Sequence, residues 1–376
     1  MLILAGVSIK LAIDNNGVIE NAKEAKDQYE QAQANDESGL EDLASKLKEQ
    51  IDANKNNNSG SGSSDYDPAS EGVPIPEGYY YVGGTKAKGL VISDNVADKE
   101  LDKGKENVRR DLAGNQWVWV PVETPSSLYT TVAAGQALAG STGVKTTKYT
   151  NSAIISGITR VKPGDTSDYR EPDIVTDSTW GDTDKRAKTA GFSSLANMAE
   201  TMKSDYEEMI ASLEKYKGFY IGRYELTANG EKTGATQTDV DWYTLYKNCT
   251  TLATGSKVKT RMIWGLQWDA TCKWLATSNF VITNSSTWGN YSNNTADGHG
   301  SKQNTGFSES WKANNIYDFA GNCWELTQEA YTNVRARRGG FYDNFGSIYP
   351  ASSRSDTNPI VTFSRVSSRP TLYLIP

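Results

Sequence analysis

The last 47 residues of this chain, 330–376, draw on a restricted set of amino acids. The stretch has no Lys, Glu, Gln, Met or Trp, although these types supply 72 of the 376 residues and about nine would be expected. It does contain six arginines, so positive charge is not avoided. Random replacement of the adenines in AAC or AAT codons gives Tyr, Phe, Asp, Ser, Arg, Ile, Val and Asn, but none of the five missing types. The tail is therefore typical of adenine-directed mutagenesis; the alternative is a polar β-rich tail of skewed composition.

Charge and composition exclude several classes of function. A net charge of −7 argues against nucleic acid or an anionic membrane as the main partner. Cys249, Cys272 and Cys323 lie far apart without CxxC spacing, which indicates neither a zinc site nor a disulfide framework, although one pair could meet in the fold. The only histidine, His299, lies in a loop-like run and is expected to be exposed. Multi-histidine metal chemistry is excluded, and little material remains for acid–base catalysis.

Residues 1–52 are predicted to form a helical segment apart from the main domain. Met1–Ile9 is apolar but too short to span a bilayer, and 18–52 is typical of a charged helix with few apolar anchors. Residues 1–26 resemble the N-terminus of type IV prepilin-like surface proteins of Gram-positive gut bacteria, through 2–9, 16–19 and 22–26. A longer apolar helix comes first in that family, so we expect this chain to start at an internal Met or to be truncated. The alternative is an ordinary amphipathic helix.

Residues 53–77 are predicted to be a flexible linker, because an Asn/Ser/Gly-rich run is followed by three prolines. Residues 78–376 predict one α+β domain. Residues 124–157, rich in Thr, Ala, Gly and Ser, are typical of an insertion or long loop. The patterns predict strands at 79–82, 117–120 and 218–225, and helices at 193–217 and 268–277.

Four segments of this domain resemble the C-type-lectin fold of the formylglycine-generating-enzyme or sulfatase-modifying-factor type. They are 218–225, 268–275, Asn315–Glu325 with its Asp-Phe-Ala-Gly-Asn-Cys-Trp-Glu motif, and Arg338–Tyr342; Arg369–Leu374 fits the last strand. The resemblance implies a C-type-lectin-like domain over 78–376, preceded by an N-terminal helix and a linker.

The catalytic activity of that family is not expected here. Its catalytic members bind copper through two cysteine thiolates, which the resemblance places near Asn344 and Tyr349, yet no cysteine follows Cys323. The related iron enzymes need clustered histidines, and this chain has one. We therefore predict a protein that is not an enzyme; the alternative is a copper-dependent oxidase of the formylglycine-generating type.

A second branch with this fold is the variable protein of diversity-generating retroelements, in which a reverse transcriptase rewrites the 3′ end of a gene with errors at adenines. Arg338-Gly-Gly-x-Tyr, Gly346-Ser347, 350–354 and 358–359, with the final strand, are similar to that branch. The resemblance implies a ligand-binding region at about 330–370. Tyr342, Phe345, Tyr349 and Phe363 are expected to be energetic anchors, because aromatic side chains dominate binding hot spots. The predicted ligand-binding residues are Tyr331, Asn333, Phe341, Tyr342, Asp343, Asn344, Phe345, Ser347, Ile348, Tyr349, Ser353, Ser355, Asp356, Thr357, Val361 and Phe363.

The same resemblance implies a structural Ca²⁺ ion held by the side chains of Asp318 and Glu325 and the carbonyls of Gly321 and Cys323. Oxygen ligands suit Ca²⁺. The alternative is that Glu325 pairs with an arginine and Asp318 caps a turn. No cofactor is expected to be required.

The sequence thus predicts a non-catalytic, hypervariable binding protein displayed on a bacterial cell surface or outside the cell, encoded by the bacterium, a phage or a mobile element. Its partners would be proteins or glycans on another cell, a host or a phage, with pilus or membrane association through the N-terminal helix. A fixed minor pilin or adhesin is the remaining alternative. The physical logic is that of an antibody paratope, in which a rigid domain carries irregular loops whose side chains vary.

Overall fold

A computed structural model describes residues 66–125, 130–131, 147–148, 170–172, 174, 181–331 and 333–376. The chain divides into two units, Met1–Gly60 and Ser61–Pro376, and every described residue belongs to the second. The predicted pilin-like segment, residues 53–65 of the linker and most of 124–157 lie outside the described residues. Among the helices that are described, none combines the length and apolar character needed to cross a bilayer.

The described region is α+β, as predicted. Its helices are α1 (Asp184–Thr189), α2 (Leu195–Tyr216), α3 (Trp242–Cys249) and α4 (Gly265–Thr277). Its strands are β1 (Tyr80–Gly83), β2 (Val91–Ser93), β3 (Gln116–Pro121), β4 (Thr130–Thr131), β5 (Thr147–Lys148), β6 (Arg170–Glu171), β7 (Gly218–Gly222), β8 (Val258–Met262), β9 (Lys312–Ala313), β10 (Ile316–Tyr317), β11 (Trp324–Tyr331), β12 (Val334–Arg338), β13 (Arg354–Thr357), β14 (Val366–Ser368) and β15 (Pro370–Leu374).

The strands form two main sheets. The first is antiparallel in the order β1-β2-β3-β7-β15-β8, and the second runs β13-β12-β11-β6-β5-β4 with β14 added parallel to β11. β15 lies between β7 and β8, with Leu372 opposite both Tyr220 and Thr260. The end of the chain is therefore held in the middle of a sheet, and β14 joins the second sheet just before it. The segment between β12 and β14 is tied at both ends.

The helices begin where side chains cap their first turns. Ser194 accepts a hydrogen bond from the backbone of Asn197 at the start of α2, and Asp241 does the same at the start of α3. α2 buries one face that includes Met198, Met202 and Met209. α4 is buried on nearly all sides, and it packs against β3 of the first sheet and β11 of the second.

Two boundaries differ from the sequence prediction. Residues 66–77 were assigned to the linker, yet 68–71 form a 3₁₀ turn and Val73 is buried in a core cluster with Tyr79. The packed domain thus begins before residue 78. The prolines restrict the backbone there, and Val73 and Ile75 pack on the apolar cluster that contains Tyr79. The strand predicted at 218–225 ends at Gly222, as β7. Gly339 and Gly340 follow the end of β12, with both φ angles positive.

Candidate functional site

The predicted binding residues after β12 project from a backbone that is held by a neighbouring loop. The Asn344 carbonyl accepts a hydrogen bond from the Ser292 N–H at 3.0 Å, and the Gly346 carbonyl accepts one from the Ser285 N–H at 2.9 Å. The Gly346 N–H donates to the Asn293 side chain at 3.0 Å. The loop backbone is therefore fixed by contacts that do not depend on the side chains at positions 343, 345 and 347–349.

Large apolar side chains of this loop are exposed. Phe345 is 52 % exposed, Ile348 51 % and Tyr349 42 %, and Val361 is 37 % exposed in the next loop. Water-exposed apolar groups that cluster beside polar ones mark interaction sites more often than isolated ones do. We call the side chains of 341–349, 355–357 and 360–365, together with Trp324 and Arg337, the C-terminal face.

Two arginines and a tryptophan connect the parts of this face, and the sequence analysis did not assign them. The Arg337 guanidinium lies 4.9 Å from the ring centroid of Trp324, which also contacts the ring of Tyr349 at 5.7 Å. The Arg365 guanidinium lies 5.0 Å from the Phe341 ring and 5.8 Å from the Phe363 ring. The backbone N–H of Trp324 donates to the Arg365 carbonyl at 2.9 Å. These residues could have been found from the sequence, because binding hot spots are rich in Trp, Tyr and Arg and both arginines lie among aromatic residues in the predicted binding region.

The aromatic positions differ in how much they offer to a ligand. Phe345 and Tyr349 are exposed, as predicted for anchors. Tyr342 is half-buried, and Phe341 and Phe363 pack against a core cluster with one side. The stacked Arg365 covers part of the Phe341 and Phe363 rings, so these two rings offer less area to a ligand and also hold Arg365 in place.

The remaining predicted residues fall into three groups. Ser355, Asp356 and Thr357 lie half-buried on β13, opposite Arg337, Ala336 and Arg335 of β12. Asn333 is half-buried, and the side chain of Tyr331 lies outside the described residues. Asp343 and Ser347 are exposed, whereas Asn344 is half-buried and its side chain accepts a hydrogen bond from the Phe341 N–H at 3.2 Å.

Ser353 is a correction to the predicted set. It is only 4 % exposed, and its carbonyl accepts a 2.9 Å hydrogen bond from the Arg338 side chain. The position precedes β13, where the chain passes over α4, so the residue faces the protein interior. A codon reachable from Asn does not by itself place a side chain at the surface.

A buried ion network lies under the C-terminal face. Asp269 of α4 accepts from Arg338 of β12 at 2.6 Å and from Arg354 of β13 at 2.8 Å. Glu329 of β11 accepts from Arg354 at 3.0 Å, and all four side chains are fully buried. Burial would raise the pKa of Asp269, but the guanidiniums of Arg338 and Arg354 outweigh it and lower that pKa below its usual value. The network joins the helix to three strands, and Trp268 reinforces it by donating to the Ala351 carbonyl at 2.9 Å.

The residues assigned to Ca²⁺ take up other contacts. Both oxygens of Glu325 accept hydrogen bonds from Arg369, at 2.7 and 2.9 Å. Asp318 accepts from the Thr305 hydroxyl at 2.9 Å and the Gly306 N–H at 2.7 Å through one oxygen, and its other oxygen has no hydrogen-bond partner among the described residues. The described residues contain no group of three His, Cys, Asp or Glu placed to hold a metal ion.

This arrangement matches the alternative of an arginine pair and a turn cap. Gly321 and Cys323 use their N–H groups in hydrogen bonds, to the Gly339 carbonyl and the Glu225 side chain respectively, both at 2.9 Å. Both oxygens of Glu325 are held by the Arg369 guanidinium, which leaves one oxygen of Asp318 as the carboxylate oxygen without a hydrogen-bond partner among the described residues of the predicted pair. The calcium assignment therefore depends on the resemblance alone.

The cysteines are buried thiols in separate places. Cys249, Cys272 and Cys323 are not in disulfides. Burial is the main cause that raises the pKa of each thiol, to about 12 for Cys272. A thiol in this state is a poor nucleophile and a poor metal ligand. His299 is exposed, as expected, with Nδ1 2.8 Å from the Ala296 carbonyl oxygen.

Comparison with known proteins gives no family for this chain. No family model matches it, and no curated protein does. Among solved structures, it is similar to Treponema denticola variable protein 1, at 16 % identity and a TM-score of 0.32, over 43 % of this chain and 85 % of that one. It is similar to PvdO from Pseudomonas aeruginosa at 14 % identity and a TM-score of 0.32, over 42 % and 82 %. The Major Tropism Determinant P3c variant matches at 12 % identity and a TM-score of 0.30, over 42 % and 51 %.

Proposed function

We propose that this chain is a non-catalytic binding protein whose C-terminal face is diversified by adenine-directed mutagenesis. The observation that carries the proposal is the combination of Phe345, Ile348 and Tyr349 exposed on a loop whose backbone is pinned by residues 285–293. Such a loop tolerates changes of side chain at 343, 345, 348 and 349, since its hydrogen bonds to residues 285–293 use the main-chain groups of Asn344 and Gly346. The exposed positions are also those that the codon argument marks as replaceable.

The domain in this proposal is a C-type-lectin-like scaffold displayed at a bacterial cell surface or outside the cell. Its ligands would be proteins or glycans on another cell, a host or a phage, and the N-terminal segment would provide attachment to a pilus or membrane. A face of 15 to 20 side chains is consistent with the ~800 Å² that each partner usually buries in a stable complex. The buried thiols support a non-catalytic role, because the copper chemistry of the enzyme branch requires thiolates.

The test is deep sequencing of the gene's 3′ end in a population that carries it. Substitutions should be confined to Asn-derived codons and should fall at exposed positions such as 343, 345, 348 and 349. The buried arginines Arg338 and Arg354 should stay constant, although their codons are also reachable, because each pairs with Asp269. A template copy rich in AAC and a reverse-transcriptase gene should lie nearby.

A uniform 3′ end without a template would contradict diversification and leave a fixed adhesin or minor pilin. Substitutions spread equally over Arg338, Arg354 and the exposed loop would contradict the assignment of the binding face. Both outcomes are read from the same sequencing data.

A further inference from the structure

Arg337 and Arg365 are the two cations of the C-terminal face, and neither is held by a carboxylate hydrogen bond within the described residues. Arg337 donates only two long hydrogen bonds, both 3.4 Å, to the Ser355 hydroxyl. The exposed Arg365 guanidinium makes no hydrogen bond or ion pair with any residue that the structure describes, and its contacts are the rings of Phe341 and Phe363. The N–H groups of Arg365 are therefore available to a ligand, and Arg337 would give up only its two long hydrogen bonds to bind one.

Stacking prepares both guanidiniums for binding. An arginine laid against an aromatic ring keeps its planar fork in one orientation, and the edge that carries the N–H groups points away from the ring. Arg337 is ordered by Trp324, and Arg365 by Phe341 and Phe363. Less side-chain entropy is then lost when the fork binds an anion.

The two arginines act on each other. Burial is the largest cause that lowers the pKa of Arg337, Asp356 opposes this, and the positive charge of Arg365 lowers that pKa further. Two like charges within interaction range at a partly buried site are relieved by an anion placed between them. Trp324 links the two residues, since its ring lies 4.9 Å from the Arg337 guanidinium and its backbone N–H donates to the Arg365 carbonyl.

The surroundings favour a single negative charge over a polyanion. Asp356 lies near Arg337, and the whole chain carries a net charge of −7, so a nucleic acid or a highly sulfated chain would be repelled. Phe345, Ile348 and Tyr349 supply exposed apolar area on the same face, and the Tyr349 ring lies 5.7 Å from the Trp324 ring on which Arg337 stacks. An apolar surface with one pair of cationic forks matches a carboxylate side chain set among apolar residues.

On this basis, and resting on the binding function proposed above, we infer that the ligand of this variant is a protein segment whose Asp or Glu carboxylate sits between Arg337 and Arg365. Carboxylate geometry suits the guanidinium fork, which can donate two parallel hydrogen bonds. The apolar neighbours of that carboxylate would pack on Phe345 and Ile348.

The inference can be tested by selecting random 12-residue peptides, displayed on phage, against the immobilised full chain. The selection is repeated with Arg365→Gln, with Arg337→Gln and with the double variant. Arg365→Gln is the variant most expected to keep the fold, because the Arg365 side chain makes no hydrogen bond among the described residues. A loss of binding in this variant can therefore be assigned to the missing guanidinium. Lys188→Gln, which removes one exposed positive charge from α1, is the matched control. Thermal unfolding checks that each variant is folded.

Peptides selected on the wild type and on Lys188→Gln should be enriched in Asp and Glu, and the enrichment should disappear for the double variant. For a selected peptide, Glu→Gln should weaken binding about tenfold to the wild type, the order expected for a partly exposed charged pair, and little to the double variant. Binders that depend on Phe345 and Ile348 but lack acidic enrichment would overturn this inference and leave the proposed function intact.

Two further outcomes are decisive. If no peptide binds the wild type through the C-terminal face, the inference fails, and the proposed function is then judged by the sequencing of the gene's 3′ end. If heparin oligosaccharides bind the wild type and lose binding in the double variant while acidic peptides do not bind, the anion is a sulfated glycan, and the assignment of a protein carboxylate is wrong.

Discussion

Replacing Asp269 by Asn should destabilise the domain by about 3–5 kcal/mol, the usual cost of removing one partner from a buried ion pair. Asp269 is fully buried and is the acceptor for Arg338 at 2.6 Å and Arg354 at 2.8 Å. Asn fills the same volume, but its amide nitrogen would face a guanidinium donor. Glu329 would then be the remaining carboxylate near both arginines, at 3.7 Å from Arg338 and 3.0 Å from Arg354.

The assay is urea unfolding followed by tryptophan fluorescence, with Asp297→Asn as the control. Asp297 lies exposed in a loop, so the same chemical change there should alter the free energy of unfolding by less than about 0.5 kcal/mol. The C-terminal face should also lose peptide binding in Asp269→Asn before the whole domain unfolds, because Arg338 and Arg354 hold β12 and β13 over α4.

The pH dependence gives an independent check. The pKa of Asp269 in the folded state is below its ordinary value of 3.8, so its contribution is fully present above pH 3.8 and is lost as the pH falls through the folded value. The stability difference between wild type and Asp269→Asn should therefore narrow below pH 3.8. A loss of less than about 1 kcal/mol at pH 7, or a difference that grows in acid, would refute the idea that this network holds the face.

Three further results are expected. Asp318→Asn should be neutral or stabilising at pH 7, because burial raises the pKa of Asp318 from 3.8 to about 6. The protonated carboxyl's contribution to the free energy of unfolding is lost in the wild type as the pH rises through about 6. Urea titrations at pH 5 and 7 should therefore show a weaker pH dependence in the variant. The double change Phe345→Ser and Ile348→Ser should leave the melting temperature nearly unchanged yet weaken selected peptides at least about 30-fold in titration calorimetry; unchanged affinity would place binding elsewhere. Gly340→Ala should cost about 2 kcal/mol or more in urea unfolding, since its Cβ would lie 2.4 Å from a backbone oxygen. Gly191→Ala, also at positive φ but with open space around it, isolates the backbone strain and should cost less; equal costs would exclude the clash.

Much of the local structure could be predicted from the sequence. The strand at 80–83, the strand at 116–121 and the helix at 195–216 fall close to their predicted positions. Short apolar runs closed by Gly or Pro specify the two strands locally, and helical spacing of apolar residues specifies the helix. Phe345 and Tyr349, predicted as anchors because aromatic side chains dominate hot spots, are exposed. These properties depend on neighbours close in the chain.

Other features could not be predicted from local pattern. The arginines of the tail divide into buried and surface roles: Arg338, Arg354 and Arg369 pair with carboxylates of distant segments, whereas Arg365 stacks on rings at the surface. Nothing in the residue type or its codon separates the two roles. The same holds for Ser353, which is buried although its sequence neighbours suggest a loop.

The amino-acid sequence by itself determined the α+β class, the elements with strong local periodicity, and the alphabet of the tail that marks its positions as replaceable. Only the tertiary structure decided which of those positions face solvent, which arginines are paired, and that Glu325 binds Arg369. The physical reason is that ion pairs and burial depend on which carboxylates and rings the sheet order brings together. Asp269 lies 69 residues from Arg338 and 85 from Arg354 along the chain, and Glu325 lies 44 from Arg369.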